Sequence, residues 1–138
     1  MKFYIATSLS RMTAHHMVRD ALKTYGHEIT YDWTLHGSVK SVSKERLREV
    51  AALMLDGIDE TDFVVVLLPG GSGTHLELGF AIAKGKKVLV HSEDPLLYEL
   101  GPQTIAFYHH PDITRLLCPL AEVGAAVHSL LAQPAIQV

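Results

Sequence analysis

Residues 2–7 (Lys-Phe-Tyr-Ile-Ala-Thr) form a mostly apolar run, after which Val18, Ala21, Leu22 and Tyr25 recur at helical spacing up to Gly26. A strand and then a helix are predicted, with the glycine as the helix stop. Glu28 to Trp33 reads as a short second strand; beyond a polar stretch, Ser43 is placed to cap a helix with Leu47, Val50, Ala51, Met54 and Ile58 on one face. Phe63 to Leu68, opened by Asp62, lacks polar alternation, which predicts a central parallel strand covered on both faces. Leu76 to Ala83 then predicts a third helix stopped at Gly85, and Lys87 to His91 a fourth strand. Ile105 to Tyr108 predicts a fifth, edge strand, and Pro119 the start of a last helix reaching Leu131.

This alternation predicts one doubly wound α/β domain over residues 1–132, with residues 133–138 as a loose tail. A flavodoxin-like five-stranded parallel sheet in the order 2-1-3-4-5 places a ligand outside the carboxyl ends of the first and third strands. Thr7, Ser8, Ser10 and Arg11 follow the first strand, and Gly70, Gly71, Ser72, Gly73 and Thr74 follow the third.

A net charge of −3 over 138 residues gives no electrostatic case for nucleic acid or an anionic membrane, so a small-molecule partner is expected. The single cysteine, Cys118, excludes an intramolecular disulfide framework and makes a cytoplasmic setting the default expectation. No long apolar segment precedes the first strand, which argues against a signal peptide or membrane helix. Among nine histidines, the pairs His15-His16 and His109-His110 diverge and no His-x-x-x-His occurs, so neither metal nor cofactor is expected.

The chemistry concentrates in Pro69-Gly70-Gly71-Ser72-Gly73-Thr74-His75-Leu76-Glu77. A strand running through glycines into a helix can aim backbone N–H groups at a phosphate or sugar oxygen. The glycines also suit a plain turn, since the Walker lysine and the G-x-G-x-x-G spacing are absent. Glu77 likewise has two readings: the last member of a Thr-x-x-Glu capping box begun by Thr74, or a carboxylate buried beside the crevice for a purpose. Tyr4 is either packed or reaches Glu77. Ser8, Ser10 and Arg11 either hold phosphate or start a helix, and Asp32 and Trp33 either contact a ligand or cover the sheet edge.

Asp62 to Leu68, Glu77-Leu78-Gly79-Phe80-Ala81 and Gly85-Lys86-Lys87-Val88, with Phe3 to Ser8 and Asp32-Trp33, resemble the nucleoside 2-deoxyribosyltransferase superfamily, including the 2′-deoxynucleoside 5′-monophosphate N-glycosidases. The resemblance implies that Glu77 attacks the anomeric carbon through an oxocarbenium-like transition state, giving a glycosyl ester that water or a second base resolves. It also implies helix-terminal N–H groups that keep Glu77 ionised, and a homo-oligomer of two or more subunits. Locally, Pro69 to Glu77 is similar to the P-G-G-x-G-T-x-x-E signature of cytokinin-activating phosphoribohydrolases, where this loop holds a 5′-phosphate.

The chain departs from the superfamily at its acid. The family's aspartate eight residues before Asp62 is replaced by Met54, leaving Asp56 and Asp59 as nearby candidates, and Gly71 stands where the transferases carry another aspartate. The leading expectation is an N-glycosidase or N-glycosyltransferase acting on a nucleoside or nucleotide. The rivals are a non-catalytic nucleotide-binding module and a glycosidase of a larger nicotinamide dinucleotide.

Overall fold

The computed structural model describes residues 1–133. Five strands, β1 (Lys2–Ala6), β2 (Glu28–Ile29), β3 (Phe63–Leu67), β4 (Lys87–Ser92) and β5 (Ile113–Leu117), form one sheet in the order β2-β1-β3-β4-β5. Every neighbouring pair is parallel. The helices are α1 (Met12–Thr24), α2 (Lys44–Asp59), α3 (Ser72–Ala83) and α4 (Val123–Ala132). The fold class and strand order are those predicted.

Strand alternation divides the core into two layers. Phe3, Ile5, Phe63, Val65, Leu67 and Leu89 face α1 and α4, whereas Tyr4, Ala6, Val64, Val66, Val88 and Val90 face α2 and α3. β3 is buried at every residue, as its unbroken apolar run requires. Gly124 lets α4 press on α1, because a Cβ there would stand 2.4 Å from that of Ala21.

Four boundaries differ from expectation. The fifth strand is Ile113–Leu117, while Ala106–His109 is a 3-10 helix. The apolar run at 105–108 misled because four residues cannot separate a strand from a helical turn, and the true edge strand carries Thr114 and Arg115. β2 ends at Ile29, and Trp33 opens a 3-10 turn capped by Asp32, whose carboxylate accepts from Thr34 N–H at 3.0 Å. Third, α3 starts at Ser72, ahead of Leu76; fourth, Pro119 precedes a 3-10 turn, Leu120–Glu122, and the last helix begins only at Val123. Ser43 caps α2 as predicted, accepting from Arg46 N–H at 3.0 Å. The expected loose tail lies, beyond Gln133, outside the described residues.

Candidate active site

A cleft of about 590 Å³ opens at the carboxyl ends of β1 and β3. Thr7, Ser8, Ser10, Ser72, Thr74 and Glu77 give it a polar side, and Trp33, Val39, Leu47, Val50, Ala51 and Met54 an apolar one. A second depression, of about 420 Å³, lies at the opposite end of the sheet against Lys87 and Ile113, the first residues of β4 and β5. In parallel α/β sheets the carboxyl ends are where loops converge on ligands, and the cleft is at that end.

The β3-α3 connection shapes the polar side. After the cis Leu68–Pro69 peptide, Gly70 packs against Thr74, and a Cβ on Gly70 would come within 2.4 Å of Thr74 Cγ2. Gly71 is the N-cap of α3 and makes no side-chain cap bond. The amides of Ser72, Gly73 and Thr74 occupy the first turn, where no helical carbonyl can reach them. Three carbonyls of this connection are held by side chains: Leu67 O accepts from Thr7 Oγ1 at 2.9 Å, and Leu68 O from Arg11 Nη1 at 2.8 Å. Gly71 O accepts from His75 Nδ1, also at 2.8 Å.

Glu77 lies six residues after the Gly71 cap and is only 6% exposed. The capping-box reading is therefore excluded by geometry: Thr74 lies inside the helix, and the Glu77 carboxylate accepts from the Tyr4 hydroxyl instead of the cap backbone. Burial pushes the Glu77 carboxyl up to about 7, against the lowering effect of the Tyr4 hydrogen bond. That differs from the expected ionised group held by helix-terminal amides, because Glu77 sits beyond the first turn, where the dipole effect has faded. Burial, followed by the Glu77 charge and hydrogen bond, raises Tyr4 far above its ordinary value, so Tyr4 stays protonated and donates.

The other anticipated residues divide clearly. Thr7, Ser8, Ser10, Trp33, Gly71, Ser72, Gly73 and Thr74 line the cleft with Glu77. Trp33 is fixed by its Nε1–H, which donates to Ile5 O at 2.9 Å. Gly70, Arg11 and Asp32 stand behind the wall. Arg11 braces Leu68 O, and Asp32 is held by Thr34 and by Arg19 Nη1 at 2.9 Å. Asp56 and Asp59 are not brought to the cleft: Asp56 is exposed on α2, and Asp59 pairs with Lys84 at 3.1 Å. Met54 occupies the cleft wall itself.

Sequence reasoning missed the segment His36 to Lys40, which lines the cleft between Trp33 and α2. It carries no regular periodicity; the only local signal is Gly37, whose φ of 62° marks a turn. His75 was also undervalued: besides holding Gly71 O, its Nε2 lies 2.7 Å from the Tyr108 hydroxyl. Among the described residues no three His, Cys, Asp or Glu side chains cluster as a metal site, and no helix is long and apolar enough to cross a membrane.

A search of curated protein sequences returns no match. Among solved structures, the chain is similar to the CMP N-glycosidase BcmB of Clostridium botulinum, with a TM-score of 0.60 and 18% identity over 94% of this chain and 99% of that one. The family model for nucleoside 2-deoxyribosyltransferase matches residues 3–129. With that match spanning nearly the whole described domain, the chain belongs to the nucleoside 2-deoxyribosyltransferase family.

Proposed function

We propose that the protein cleaves the N-glycosidic bond of a nucleoside or nucleotide, with Glu77 as nucleophile. The observation that carries this reading is the Glu77 carboxyl, buried at the carboxyl end of the sheet and bonded to Tyr4 in a cleft that divides into polar and apolar halves. The polar side, with Ser8, Ser10, Ser72 and Thr74, suits a sugar or its phosphate, and Trp33, Val39 and Met54 suit the flat face of a base. In the first step the Glu77 oxygen bonds to C1′ as the C1′–N bond breaks and its electron pair leaves with the base. Water or a second base then attacks C1′, releasing the carboxylate. Membership of the family supports the reaction class.

The test is covalent trapping. Incubation with 2-deoxy-2-fluoroarabinosyl nucleosides and their 5′-monophosphates, followed by intact-mass and peptide analysis, is expected to show one glycosyl adduct on Glu77. The absence of an adduct and of base release across cytosine, uracil, adenine and guanine substrates would sink the proposal.

A second reading, nucleotide binding without turnover, is favoured by one observation: Met54 presents a thioether in the cleft where the family's acid was expected. Saturable nucleotide binding with no base release, unaltered by Glu77→Gln, selects that reading. Self-association belongs to the same proposal, supported by the exposed apolar residues Leu53 on α2 and Leu76 on α3. Light scattering that finds only monomers at micromolar concentration removes it.

A further inference from the structure

Cleavage through Glu77 leaves a base that needs a proton or hydrogen bond as it departs, and neither Asp56 nor Asp59 lines the cleft. Three ionisable side chains do: Glu77, Lys40 and His36. Glu77 is assigned to attack in the proposed reaction. Lys40 is exposed, whereas His36 carries a buried ring nitrogen with no hydrogen-bond partner in the protein.

We infer that His36 meets the departing base, and that its Nε2 supplies the proton or hydrogen bond that the leaving group requires. His36 follows the 3-10 turn of Trp33 and lines the same cleft as Trp33 and Met54. Its Nδ1 lies 2.8 Å from Gly37 O. A carbonyl only accepts, so Nδ1 carries the hydrogen and Nε2 is left as the exchangeable site. Nε2 is buried without any hydrogen-bond partner in the protein.

The other buried histidines differ. His15 lies behind Trp33, its ring centroid 5.0 Å from the indole, and His91 reaches Cys118 O through Nε2 at 2.7 Å; neither lines the cleft. His36 thus combines a fixed tautomer, an unused nitrogen and a place on the wall where a base would stack. Tyr31 packs against this ring at a tilt of 50°, with centroids 5.7 Å apart. Because Nε2 is shielded from solvent, contact requires the ring or the 37–40 segment to shift as the ligand enters.

The step balances with His36 protonated at the start. The C1′–N bond breaks, its electron pair leaves on the base, a Glu77 oxygen bonds to C1′, and the Nε2 proton passes to the base. In the second half, water or the N–H of another base attacks C1′ and returns a proton to Nε2, while the ester opens to the Glu77 carboxylate.

This inference rests on the N-glycosidase reading, and its test separates the two. His36→Gln and His36→Ala are compared with the unsubstituted protein on a nucleoside monophosphate and on the 4-nitrophenyl glycoside of the same sugar phosphate, whose phenolate leaves without protonation. The expected loss is about 100-fold or more on the nucleotide and only a few-fold on the nitrophenyl glycoside. Equal losses on both overturn the assignment. Imidazole nitrogen NMR supplies a readout without turnover: in Glu77→Gln protein titrated with CMP, the His36 Nε2 resonance is expected to move with occupancy. An unmoved resonance at saturation overturns the role of His36, whereas absence of turnover in the unsubstituted protein beside a moving resonance overturns the N-glycosidase reading and the proton transfer with it, leaving the His36 contact with the base. Failure of CMP and the other nucleoside monophosphates to bind overturns both.

Discussion

The Tyr4 hydroxyl donates to the Glu77 carboxylate across 73 residues of chain, joining the middle of β1 to the first half of α3. Burial raises Glu77 to about 7 even with this bond, which favours the charged form. In the proposed reaction Glu77 attacks as a carboxylate, so kcat/KM is expected to fall as pH drops below about 7. Tyr4→Phe removes the lowering influence and is expected to move that limb to higher pH, with a greater loss at pH 6 than at pH 9. A pH-rate series on both proteins checks this, and an unmoved limb contradicts it.

The same carboxyl links stability to pH. Its folded value of about 7 lies above the ordinary 4.5, so the native state holds the proton more tightly than the unfolded chain. The favourable contribution is complete below about 4.5 and is lost as pH rises through about 7. Relative to Glu77→Gln, the unsubstituted protein is therefore expected to lose about 2–3 kcal/mol between pH 5 and pH 8. Denaturant titrations at both pH values measure the difference; a gap that does not widen with pH counts against the raised value.

Gly70 is needed for lack of a side chain, not for an unusual φ. A methyl group there meets Thr74 Cγ2 at 2.4 Å and Thr74 Cβ at 2.6 Å. Gly70→Ala is expected to cost about 1–3 kcal/mol of stability through overpacking and to weaken ligand binding more than it slows the bound reaction. Thermal melts and a KM-against-kcat comparison decide it.

Asp32 is a holding residue for the indole wall. Burial alone would raise its carboxyl, but the hydrogen bonds from Thr34 and Arg19 prevail and lower it. A lowered carboxylate stabilises the fold above its ordinary range and loses that contribution as pH falls through the lowered value. Asp32→Asn is expected to destabilise by about 1–3 kcal/mol at pH 7, with the gap closing in acid. Trp33 is the only tryptophan, so its fluorescence follows the transition directly.

The sheet order and β3 were legible because a buried parallel strand has to be apolar on both faces, as Phe63 to Leu67 is. Glu77 and the glycine connection were legible as neighbours at the end of β3, where they line the cleft, yet the helix start was not. Gly71 and Gly73 read as a phosphate-binding loop or a plain turn, whereas Gly71 is the cap and Gly73 sits in the first turn. β5 escaped because an edge strand can place Thr114 and Arg115 in its middle. Asp56 was close in sequence to the expected acid, but α2 remains helical through Gly57 and leaves it facing solvent. His36 was invisible for a different reason: its tautomer is fixed by a neighbouring carbonyl, which no side-chain pattern announces.

The clasp on the β3-α3 connection gives the cleft a sign. Thr7, Arg11 and His75 occupy the carbonyl oxygens of Leu67, Leu68 and Gly71, which are thereby withheld from any ammonium group or hydrated cation. What remains at the start of α3 is a row of donors, Ser72, Gly73 and Thr74, whose amides have no partner within the helix. Under the proposed function the backbone would work as a polarity filter, selecting ligands by the oxygens they offer before any side chain distinguishes one base from another.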